Sequence, residues 1–335
     1  MRWDGLRVGN EPMALFGEDV VTRQFDTPGF RGITFYEVRA RSILNEVPKS
    51  SRMAFRWTVN PYRGCSHACV YCFARNTHTY LDLDAGADFD SRIIVKINAA
   101  ERLRQQLRAP SWKGESVAMG TNVDPYQRAE GRYRLMPGIL SALIDARNPF
   151  SILTKGSLVL RDLPLLERAD AVTTISVNVS VGSVDPLLWR LAEPGTPNPR
   201  RRLDVVRTLA DSGISCGVLM APILPFLTDS TEQLEETVAA IAGAGARSIT
   251  PLVLHLRPGA REWYAKWIKE RYPQLVSDYR ELYGRGSYAP AEFQREITDR
   301  VWALAERYGL RKFGSDRLRP APSREPRPAE QLSLM

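Results

Sequence analysis

The sequence has few cysteines and histidines, and it has no long apolar run. Of its 335 residues, four are cysteine and three are histidine, which argues against a disulfide-stabilised secreted scaffold and favours a reducing compartment. Because no run of about 18 apolar residues exists, we expect no transmembrane helix. The first ten residues are charged and lack the apolar region of a signal peptide. A cytoplasmic protein without a membrane segment is therefore expected.

Lysine is also scarce, whereas arginine is abundant. The chain has seven lysines and 39 arginines, and its net charge is +8 at pH 7. The planar guanidinium group of arginine suits phosphate recognition, so this balance is compatible with a nucleic-acid partner. A genome rich in G and C would produce the same bias. The charge alone therefore does not identify a substrate.

Three of the four cysteines lie close together. Cys65, Cys69 and Cys72 follow a short β-branched and aromatic run and a Pro/Gly turn. Thiolates this close in sequence can converge on one soft metal centre, either an iron–sulfur cluster or zinc. A [4Fe-4S] cube held by three cysteines would keep its fourth iron open, which suits a catalyst. For zinc, His67 or a distant residue could complete a closed structural site.

The stretch around these cysteines carries a family resemblance. Residues 60–75 read Asn-Pro-Tyr-Arg-Gly-Cys-Ser-His-Ala-Cys-Val-Tyr-Cys-Phe-Ala-Arg. The cysteine spacing, with the aromatic Tyr71 just before the third cysteine, resembles the signature of radical S-adenosylmethionine (SAM) enzymes. The wider stretch looks similar to the branch of that superfamily that is related to spore photoproduct lyase.

The resemblance implies a cofactor set and a reaction. Cys65, Cys69 and Cys72 would hold a [4Fe-4S] cluster whose open iron chelates the amino and carboxylate groups of SAM. The reduced cluster would split SAM into methionine and a 5′-deoxyadenosyl radical, which takes a hydrogen atom from the substrate. An electron donor such as flavodoxin or ferredoxin is then required. Since the family reserves the fourth iron for SAM, His67 is expected to be a hydrogen-bonding group beside the cluster.

From residue 54 onward the pattern alternates between strand and helix. Near-continuous apolar runs indicate buried parallel strands, and the predicted strands cover residues 55–59, 92–97, 117–121, 150–154, 171–179, 214–223 and 248–256. The predicted helices cover residues 73–80, 99–108, 137–146, 159–168, 200–212, 231–244, 261–272 and 290–308. Pro137 is expected at the first position of its helix, Ser230 as a cap, and Gly213 and Gly245 as stops.

Short connections between such units require right-handed crossovers and a parallel sheet curled toward a barrel. About six units fit, fewer than the eight of a closed barrel, so we predict an α/β protein with the partial (β/α)6 barrel that the resemblance also implies. Four segments are expected: an N-terminal extension over residues 1–53, the barrel over 54–256, a C-terminal helical cap over 257–313 and a disordered arginine- and proline-rich tail over 314–335.

Polar residues at the strand ends are the candidates for cofactor binding, because ligands of parallel α/β barrels sit at the carboxyl ends of the strands. After the strand over residues 117–121, Thr121, Asn122 and Asp124 supply donors and acceptors for an amino group, a carboxylate or a ribose, although a simple turn uses the same residue types. Lys155 is the only lysine at an apparent strand end. The resemblance implies a cofactor-contacting lysine at this position.

A second pair of candidates lies on one strand. Ser176 and Asn178 share a face by two-residue alternation, and their strand resembles the one whose serine and asparagine contact SAM in related enzymes. Residues 193–200 are similar to the family's Glu-Pro-x-x-Pro segment, for which we expect a structural role or one at the edge of the cofactor. His78 and His255 have no recognisable partners in the sequence and are expected to be structural.

Two functional hypotheses follow. The first is a radical SAM enzyme whose substrate, nucleic acid being the leading candidate, binds at the barrel mouth under the cap. The second is a nonenzymatic zinc-stabilised nucleic-acid-binding protein, which leaves the polar strand ends without a role.

One departure from the family concerns a cysteine near the end of the second barrel strand, which returns a hydrogen atom in spore photoproduct lyase. Here that neighbourhood reads Gly120-Thr121-Asn122, and Cys216, expected to be a small buried hydrophobe, lies on a later strand. This departure counts against the thymine-dimer repair reaction.

Overall fold

The computed structural model describes residues 20–48, 51, 53, 55–284 and 286–312. The predicted tail over residues 314–335 and the first 19 residues of the predicted N-terminal extension lie outside these residues. In the part that the structure describes, the strands are β1 (Val21–Gln24), β2 (Thr34–Val38), β3 (Leu44–Glu46), β4 (Trp57–Val59), β5 (Tyr62–Arg63), β6 (Arg92–Lys96), β7 (Val117–Met119), β8 (Phe150–Thr154), β9 (Ile175–Ser180), β10 (Cys216–Ile223), β11 (Ser248–Val253) and β12 (Arg311–Lys312).

The α-helices alternate with most of these strands. They are α1 (Ala87–Ser91), α2 (Ala99–Arg108), α3 (Arg128–Tyr133), α4 (Leu135–Asp145), α5 (Leu163–Asp170), α6 (Pro186–Ala192), α7 (Pro199–Asp211), α8 (Thr231–Gly243), α9 (Ala260–Arg271), α10 (Val276–Tyr283) and α11 (Ala291–Arg307). The 3₁₀ helices among the described residues are Phe73–Leu81, Ser157–Asp162 and Pro273–Leu275. No helix among the described residues has both the length and the apolar composition needed to cross a bilayer.

The main sheet has eight strands in the order β12-β11-β10-β9-β8-β7-β4-β3. Every neighbouring pair is parallel except β3 and β4, which are antiparallel. Six of these strands, from β4 to β11 in the order of the sheet, are those of the predicted strand–helix units. The α/β prediction with an open, parallel sheet is confirmed.

A second sheet packs the N-terminal segment against the main domain. Its order is β1-β2-β6-β5, with β2 parallel to β6 and the other two pairs antiparallel. The predicted strand over residues 92–97 therefore forms, but it pairs with the N-terminal strand β2 and is not part of the barrel sheet. An apolar run predicts a buried strand, but it does not show which sheet the strand joins. Both faces of β6 are covered in the second sheet, as they would be in the main parallel sheet.

The start of α4 differs from the prediction. Pro137 was expected at the first helical position, but the helix begins two residues earlier, at Leu135. The reason is the buried carboxylate of Glu130, which accepts hydrogen bonds from the backbone N–H groups of Leu135 (3.0 Å) and Met136 (3.1 Å). These are donors that a helix start normally leaves unpaired. Glu130 lies five residues before Leu135 and is itself held by the Tyr62 hydroxyl and the Arg161 guanidinium, so the local pattern around Pro137 does not show this cap.

Other helix boundaries follow their local signals. The Ser230 side chain accepts a hydrogen bond from the Gln233 backbone N–H (3.2 Å), and the Gln233 side chain accepts one from the Ser230 N–H, which completes a capping box at the start of α8. Gly213 and Gly245 follow the ends of α7 and α8 with φ of 77° and 79°. Left-handed backbone of this kind favours glycine, so both predicted stops are confirmed.

The two faces of the main sheet differ in polarity. Val177 and Val179 of β9 are buried in the main apolar core together with residues of the surrounding helices. Because successive side chains of a strand point to opposite faces, Ser176, Asn178 and Ser180 lie on the other face. The sheet thus turns a polar row toward its inner side, and this row reaches the carboxyl ends of the strands.

Candidate radical SAM active site

The cysteine loop lies at the carboxyl edge of the main sheet, directly after β4 and β5. Gly64 enters the loop with φ of 78°, and a Cβ at this position would lie 2.9 Å from the carbonyl oxygen of Arg92, so a larger residue does not fit there. Cys65 and Cys69 are buried, Cys72 is partly buried, and all three thiols are free. The predicted ligands therefore lie on one short loop and are chemically available.

Two buried side chains fix the backbone of this loop. The side-chain oxygen of Gln127 accepts hydrogen bonds from the backbone N–H of Ser66 (2.9 Å), and its amide nitrogen donates to the carbonyl oxygen of Gly64 (2.9 Å). The Arg75 guanidinium donates to the carbonyl oxygen of Cys69 (2.9 Å) and to both oxygens of Asp90 (2.9 Å each). These contacts hold both halves of the loop.

The loop also packs against the segment that leads into α7. The backbone N–H of Gly195 donates to the carbonyl oxygen of His67 (3.0 Å), and that of Val70 donates to Ala192 (3.0 Å). A Cβ on Gly195 would lie 2.0 Å from the carbonyl oxygen of Ser66. The close approach of two backbones thus explains why this position is glycine.

Asp124 connects the loop to the ends of β7 and β8. One of its carboxylate oxygens accepts from the Thr154 hydroxyl (2.6 Å), and the other accepts from the Lys155 backbone N–H (2.6 Å) and lies 3.3 Å from Nδ1 of His67. Burial would raise the pKa of Asp124, but His67 and the hydrogen bonds from Lys155 and Thr154 outweigh this effect and lower it. The carboxylate is therefore held charged by contacts within the protein.

Glu193 forms a second connecting point. The Lys155 ammonium donates to its carboxylate (3.1 Å), and the hydroxyl of Tyr71 and the guanidinium of Arg202 donate to it as well. Burial would raise the pKa of Glu193, but the charges of Arg202 and Lys155 lower it to about 2. Lys155 also donates to the Ser180 hydroxyl (2.7 Å), so this network spans the cysteine loop, β8, β9 and α7.

A cleft opens beside this network at the ends of β9 and β10. Its lining includes Tyr71, Glu193 and Arg202 together with Gly182 and Pro222. A Cβ on Gly182 would lie 2.6 Å from the carbonyl oxygen of Pro222, so glycine allows the two strand ends to approach. Through Tyr71 the cleft borders the cysteine loop.

Unpartnered polar atoms lie at the neighbouring strand ends. Within the described part of the chain, the hydroxyl oxygen of Thr121 and the side-chain oxygen of Asn60 are buried without a hydrogen-bond partner. Val59 and Met119, the last residues of β4 and β7, are paired in the sheet, so Asn60 and Thr121 follow two adjacent strands. Because a buried polar group is normally hydrogen-bonded, these atoms indicate a site for a polar ligand.

The other predicted cofactor contacts are distributed around this edge. Asn122 is half-buried and follows Thr121 directly. Ser176 and Asn178 are half-buried on the inner face of β9, and Gly217 of β10 lies opposite Asn178. A Cβ on Gly217 would lie 2.7 Å from the Asn178 side-chain oxygen, so the missing side chain makes room for this amide. The fold thus places Ser176 and Asn178 on the inner face of β9 and the other four predicted residues just after the carboxyl ends of β7 and β8. Asp124 and Lys155 are already engaged with protein groups.

The three thiols suit a cluster better than a single ion. Burial raises the pKa of Cys65, Cys69 and Cys72, so binding of a metal as thiolates must release protons. Among the described residues, no group of three or more His, Cys, Asp or Glu side chains converges closely enough to hold one metal ion. A [4Fe-4S] cube takes each cysteine at a separate iron corner. The free thiols on this loop and the unpartnered Thr121 oxygen at the end of the strand next to β4 fit a cluster with a polar cofactor.

Cys216 faces away from this site. It is paired with Val177 in the sheet, is 2% exposed and belongs to the apolar core. Burial raises its pKa to about 12. It therefore packs as a small apolar side chain on the face opposite Ser176 and Asn178.

Several residues that organise the site were not predicted individually. Gln127, Arg75 and Arg202 are each nearly fully buried, yet they read as ordinary polar residues in the sequence. Only the resemblance of residues 193–200 to a family segment pointed to Glu193. The sequence signal for Arg202 is its position three and four residues before Val205 and Val206, which places an arginine on the apolar face of α7, where it needs a partner.

Comparisons with known proteins agree with this geometry. The model of the family described as "Radical SAM superfamily" matches residues 59–241. The chain is 51% identical to the uncharacterized protein Rv2578c of Mycobacterium tuberculosis, over 92% of this chain and 93% of that protein. It is 28% identical to an uncharacterized protein of Acidianus two-tailed virus, over 77% of this chain and 89% of that protein.

Among solved structures, the chain is similar to spore photoproduct lyase. The structure of that enzyme complexed with dinucleoside spore photoproduct aligns with a TM-score of 0.59 at 17% identity, over 82% of this chain and 79% of that chain. A variant with bound AdoMet aligns equally well, with a TM-score of 0.59. At this identity the match shows a common fold. With the family match, the cysteine loop and the parallel sheet, it follows that this chain shares the fold of spore photoproduct lyase and is an enzyme that belongs to the radical SAM superfamily.

Proposed function

We propose that Cys65, Cys69 and Cys72 hold a [4Fe-4S] cluster and that SAM binds beside it at the strand ends. The observation that carries this proposal is the arrangement of three free thiols on one clamped loop, which Asp124 from the end of β7 contacts through His67. When bound, this pair of cofactors supplies a 5′-deoxyadenosyl radical after one-electron reduction, and the radical takes a hydrogen atom from the substrate.

The residues of this chain have separate tasks in that reaction. Thr121, Asn122, Ser176 and Asn178 are proposed to bind polar groups of SAM, because their side chains lie on the inner side of the sheet and at its carboxyl edge. Asp124 and Lys155, which the sequence suggested as direct contacts, are proposed to position the site as well. Asp124 holds the cysteine loop against the end of β8, and Lys155 holds Glu193 and Ser180 together.

Burial of the loop protects the reaction from water. Cys65 and Cys69 are 7% and 8% exposed, and Arg75 covers the Cys69 carbonyl oxygen. A dry site limits side reactions of a reactive intermediate. An external one-electron donor, such as flavodoxin or ferredoxin, is part of the proposal because the described residues include no second cysteine cluster.

Nucleic acid is the proposed substrate class. The net charge of +8 with 39 arginines and the shared fold with an enzyme solved in complex with dinucleoside spore photoproduct support this choice. The outcome after hydrogen abstraction differs from thymine-dimer repair in this proposal. The strand end at Gly120-Thr121-Asn122 carries no thiol, and Cys216 lies on the helix-facing side of the sheet, so neither position supplies a hydrogen atom to the inner side.

Anaerobic reconstitution tests this function. The wild-type protein should bind about four irons per chain, turn brown and form 5′-deoxyadenosine from SAM after dithionite is added. Replacement of Cys65, Cys69 or Cys72 by alanine should abolish both, whereas Cys216→Ala, at the cysteine outside the loop, should retain the cluster. A colourless protein with one tightly bound zinc would overturn the proposal in favour of a zinc-stabilised binding protein. A brown protein that leaves SAM intact would overturn its catalytic part.

A further inference from the structure

An aromatic stack stands beside the cysteine loop and has no role in the site described above. The imidazole of His255 is stacked on the ring of Tyr288, with 5.5 Å between centroids and an interplanar angle of 23°. On its other side it contacts the ring of Phe73, also at 5.5 Å. Phe73 directly follows Cys72, the third cysteine of the loop. We call Phe73, His255 and Tyr288 the aromatic stack.

Arginine joins the two ends of this stack. The guanidinium of Arg257 lies 5.5 Å from the centroid of the Phe73 ring and donates a hydrogen bond to the Tyr288 hydroxyl (3.2 Å). Arg257 is exposed, and one hydrogen bond uses only part of the five N–H donors of a guanidinium group. The stack therefore combines flat rings with a cation at the protein surface.

The backbone beneath the stack is held rigidly. His255 and Tyr288 form an antiparallel bridge, and the Leu256 N–H donates to the Ser287 carbonyl oxygen (2.7 Å). The chain that follows β11 is thereby tied to the loop before α11. Rigid aromatic side chains lose little conformational entropy when they bind a ligand, so this construction favours recognition over simple packing.

Exposure separates this stack from an ordinary aromatic core. Tyr288 is 52% exposed, whereas Tyr264, Tyr279 and Tyr283 of the C-terminal helices are nearly fully buried. Burial together with the nearby charge of Arg257 lowers the pKa of His255, which keeps the imidazole neutral near pH 7. A neutral flat ring can stack without carrying charge into the contact.

The location is the carboxyl end of β11, where substrates of parallel α/β folds bind. Single-stranded nucleic acids are bound by aromatic rings that stack on bases, together with cations that contact the phosphates. An acidic peptide would use the arginine and would leave the exposed flat face of the rings without a partner. The combination of both features therefore favours a nucleic acid over a peptide.

We propose that the aromatic stack and Arg257 bind an unpaired base of a nucleic-acid substrate and its adjacent phosphate. This proposal rests on the proposed function. In it, the aromatic stack and Arg257 hold the substrate at the carboxyl edge of the sheet, beside the cysteine loop. The base stacks on the exposed ring of Tyr288, which His255 supports from behind, and Arg257 contacts the phosphate. Duplex DNA, whose bases are already stacked in pairs, binds this surface less well.

A binding assay tests the proposal on the cluster-loaded protein. The probe is a fluorescein-labelled single-stranded oligonucleotide about 12 nucleotides long, and the readout is anisotropy. Tyr288→Ala should weaken binding by about tenfold, the size expected for loss of one stacked base. Arg257→Gln should weaken it and reduce its salt dependence. Iron content and thermal unfolding verify that each variant is folded and loaded.

Two matched controls separate stacking from general attraction. Tyr308 is another exposed tyrosine beside an arginine, since Arg307 lies 5.9 Å from its ring centroid, and it stands at the end of α11 beside Glu235 of α8. Tyr308→Ala should leave oligonucleotide binding unchanged. An abasic oligomer of the same length should bind wild type as weakly as the base-containing probe binds Tyr288→Ala.

The outcomes distinguish a failure of the stacking proposal from a failure of the proposed radical SAM function. If wild type binds the base-containing and abasic oligomers equally, or if Tyr288→Ala and Tyr308→Ala bind like wild type, the stacking proposal is overturned. Binding of an acidic peptide probe with no binding of the oligonucleotide also overturns it. In either case 5′-deoxyadenosine formation from SAM, measured separately, still decides whether the proposed radical function holds.

Discussion

The hydroxyl of Tyr71, one residue before the third cysteine, donates a hydrogen bond to the carboxylate of Glu193, 122 positions later in the chain. The same carboxylate accepts from Lys155 at the end of β8 and from Arg202 of α7. One buried acid thus ties the loop that carries the cysteines to the sheet that is expected to bind SAM. A change at Glu193 should therefore affect stability and the cysteine loop together.

The first prediction concerns this buried charge. Glu193→Gln keeps the shape of the side chain and removes the charge that Lys155 and Arg202 share. Since removal of one partner leaves buried charges uncompensated, we expect a loss of about 3 kcal/mol of unfolding free energy at neutral pH. Urea unfolding measures it. Glu270→Gln, at an exposed position of α9, is the control and should change stability by less than about 0.5 kcal/mol.

The pH dependence of the same variant has a defined sign. The pKa of Glu193 is about 2 in the folded protein, against an ordinary value of 4.5. Because the folded state binds the proton less readily, the carboxylate stabilises the fold fully above about pH 5, and this contribution is lost as the pH falls toward 2. The gap between wild type and Glu193→Gln should therefore shrink on acidification. A gap that stays constant from pH 7 to about pH 3 would contradict the assigned pKa.

The second prediction concerns the backbone contact between Gly195 and Ser66. Gly195→Ala places a methyl group 2.0 Å from the Ser66 carbonyl oxygen, so the cysteine loop must shift. We expect this variant to retain much less iron after anaerobic desalting than wild type and to lose about 1 to 3 kcal/mol of stability. Gly243→Ala is the matched control, because a Cβ there meets no atom within 4 Å. Equal iron retention in both variants would show that the loop tolerates the displacement.

Much of the fold could be predicted from local patterns. The apolar runs gave β8 with its observed bounds, Phe150–Thr154, and helical spacing gave α2 as Ala99–Arg108. Both elements could be predicted because the spacing of their apolar residues matches the period of a buried strand or of a helix with one buried face. The partner of β6 could not be predicted in the same way, because it is β2, a segment distant in the chain. The first residue of α4 depends on the Glu130 carboxylate, which Tyr62 and Arg161 from distant segments hold in place.

The candidate site shows the same division. The cysteine spacing identified the loop, since the three thiols are local in sequence. The side chains that hold the loop are Gln127, Arg75 and Glu193, and their importance comes from full burial, which a sequence does not display. His255 is expected from the sequence to be structural and without recognisable partners, and the structure gives it two, the rings of Phe73 and Tyr288, both distant in the chain.

The third prediction concerns Lys96, a buried lysine of β6 whose ammonium donates to the Asn60 carbonyl oxygen (2.9 Å). Burial, with the nearby charge of Arg63, lowers its pKa to about 7 from an ordinary 10.5. At a pH between these two values, Lys96 is protonated in the unfolded chain and neutral in the folded protein. The free energy of unfolding therefore rises with pH across that interval. Below about pH 7 the full cost of the buried charge is present.

Neutral replacements of Lys96 should remove this dependence. Between about pH 7 and pH 9 the stability of wild type should rise by about 2 kcal/mol relative to Lys96→Met. Lys96→Gln, which differs from methionine in packing and is also uncharged, should show the same relative change. Urea unfolding at a series of pH values measures it. Parallel pH curves for wild type and both variants would refute the assignment.

The last prediction concerns the Thr121 hydroxyl, which is buried without a protein partner. Thr121→Val replaces it by a methyl group of nearly the same size. Since no hydrogen bond within the protein is lost, stability should stay equal or rise slightly, while the affinity of the cluster-loaded protein for SAM should fall by about tenfold. Thr173→Val is the contrasting control. The Thr173 hydroxyl donates to the Arg147 carbonyl oxygen (3.1 Å) at the opposite end of the sheet, so this variant should lose about 1 kcal/mol of stability and keep its SAM affinity. Equilibrium dialysis with SAM and urea unfolding separate the two cases. If Thr121→Val binds SAM as tightly as wild type, this hydroxyl is not a cofactor contact.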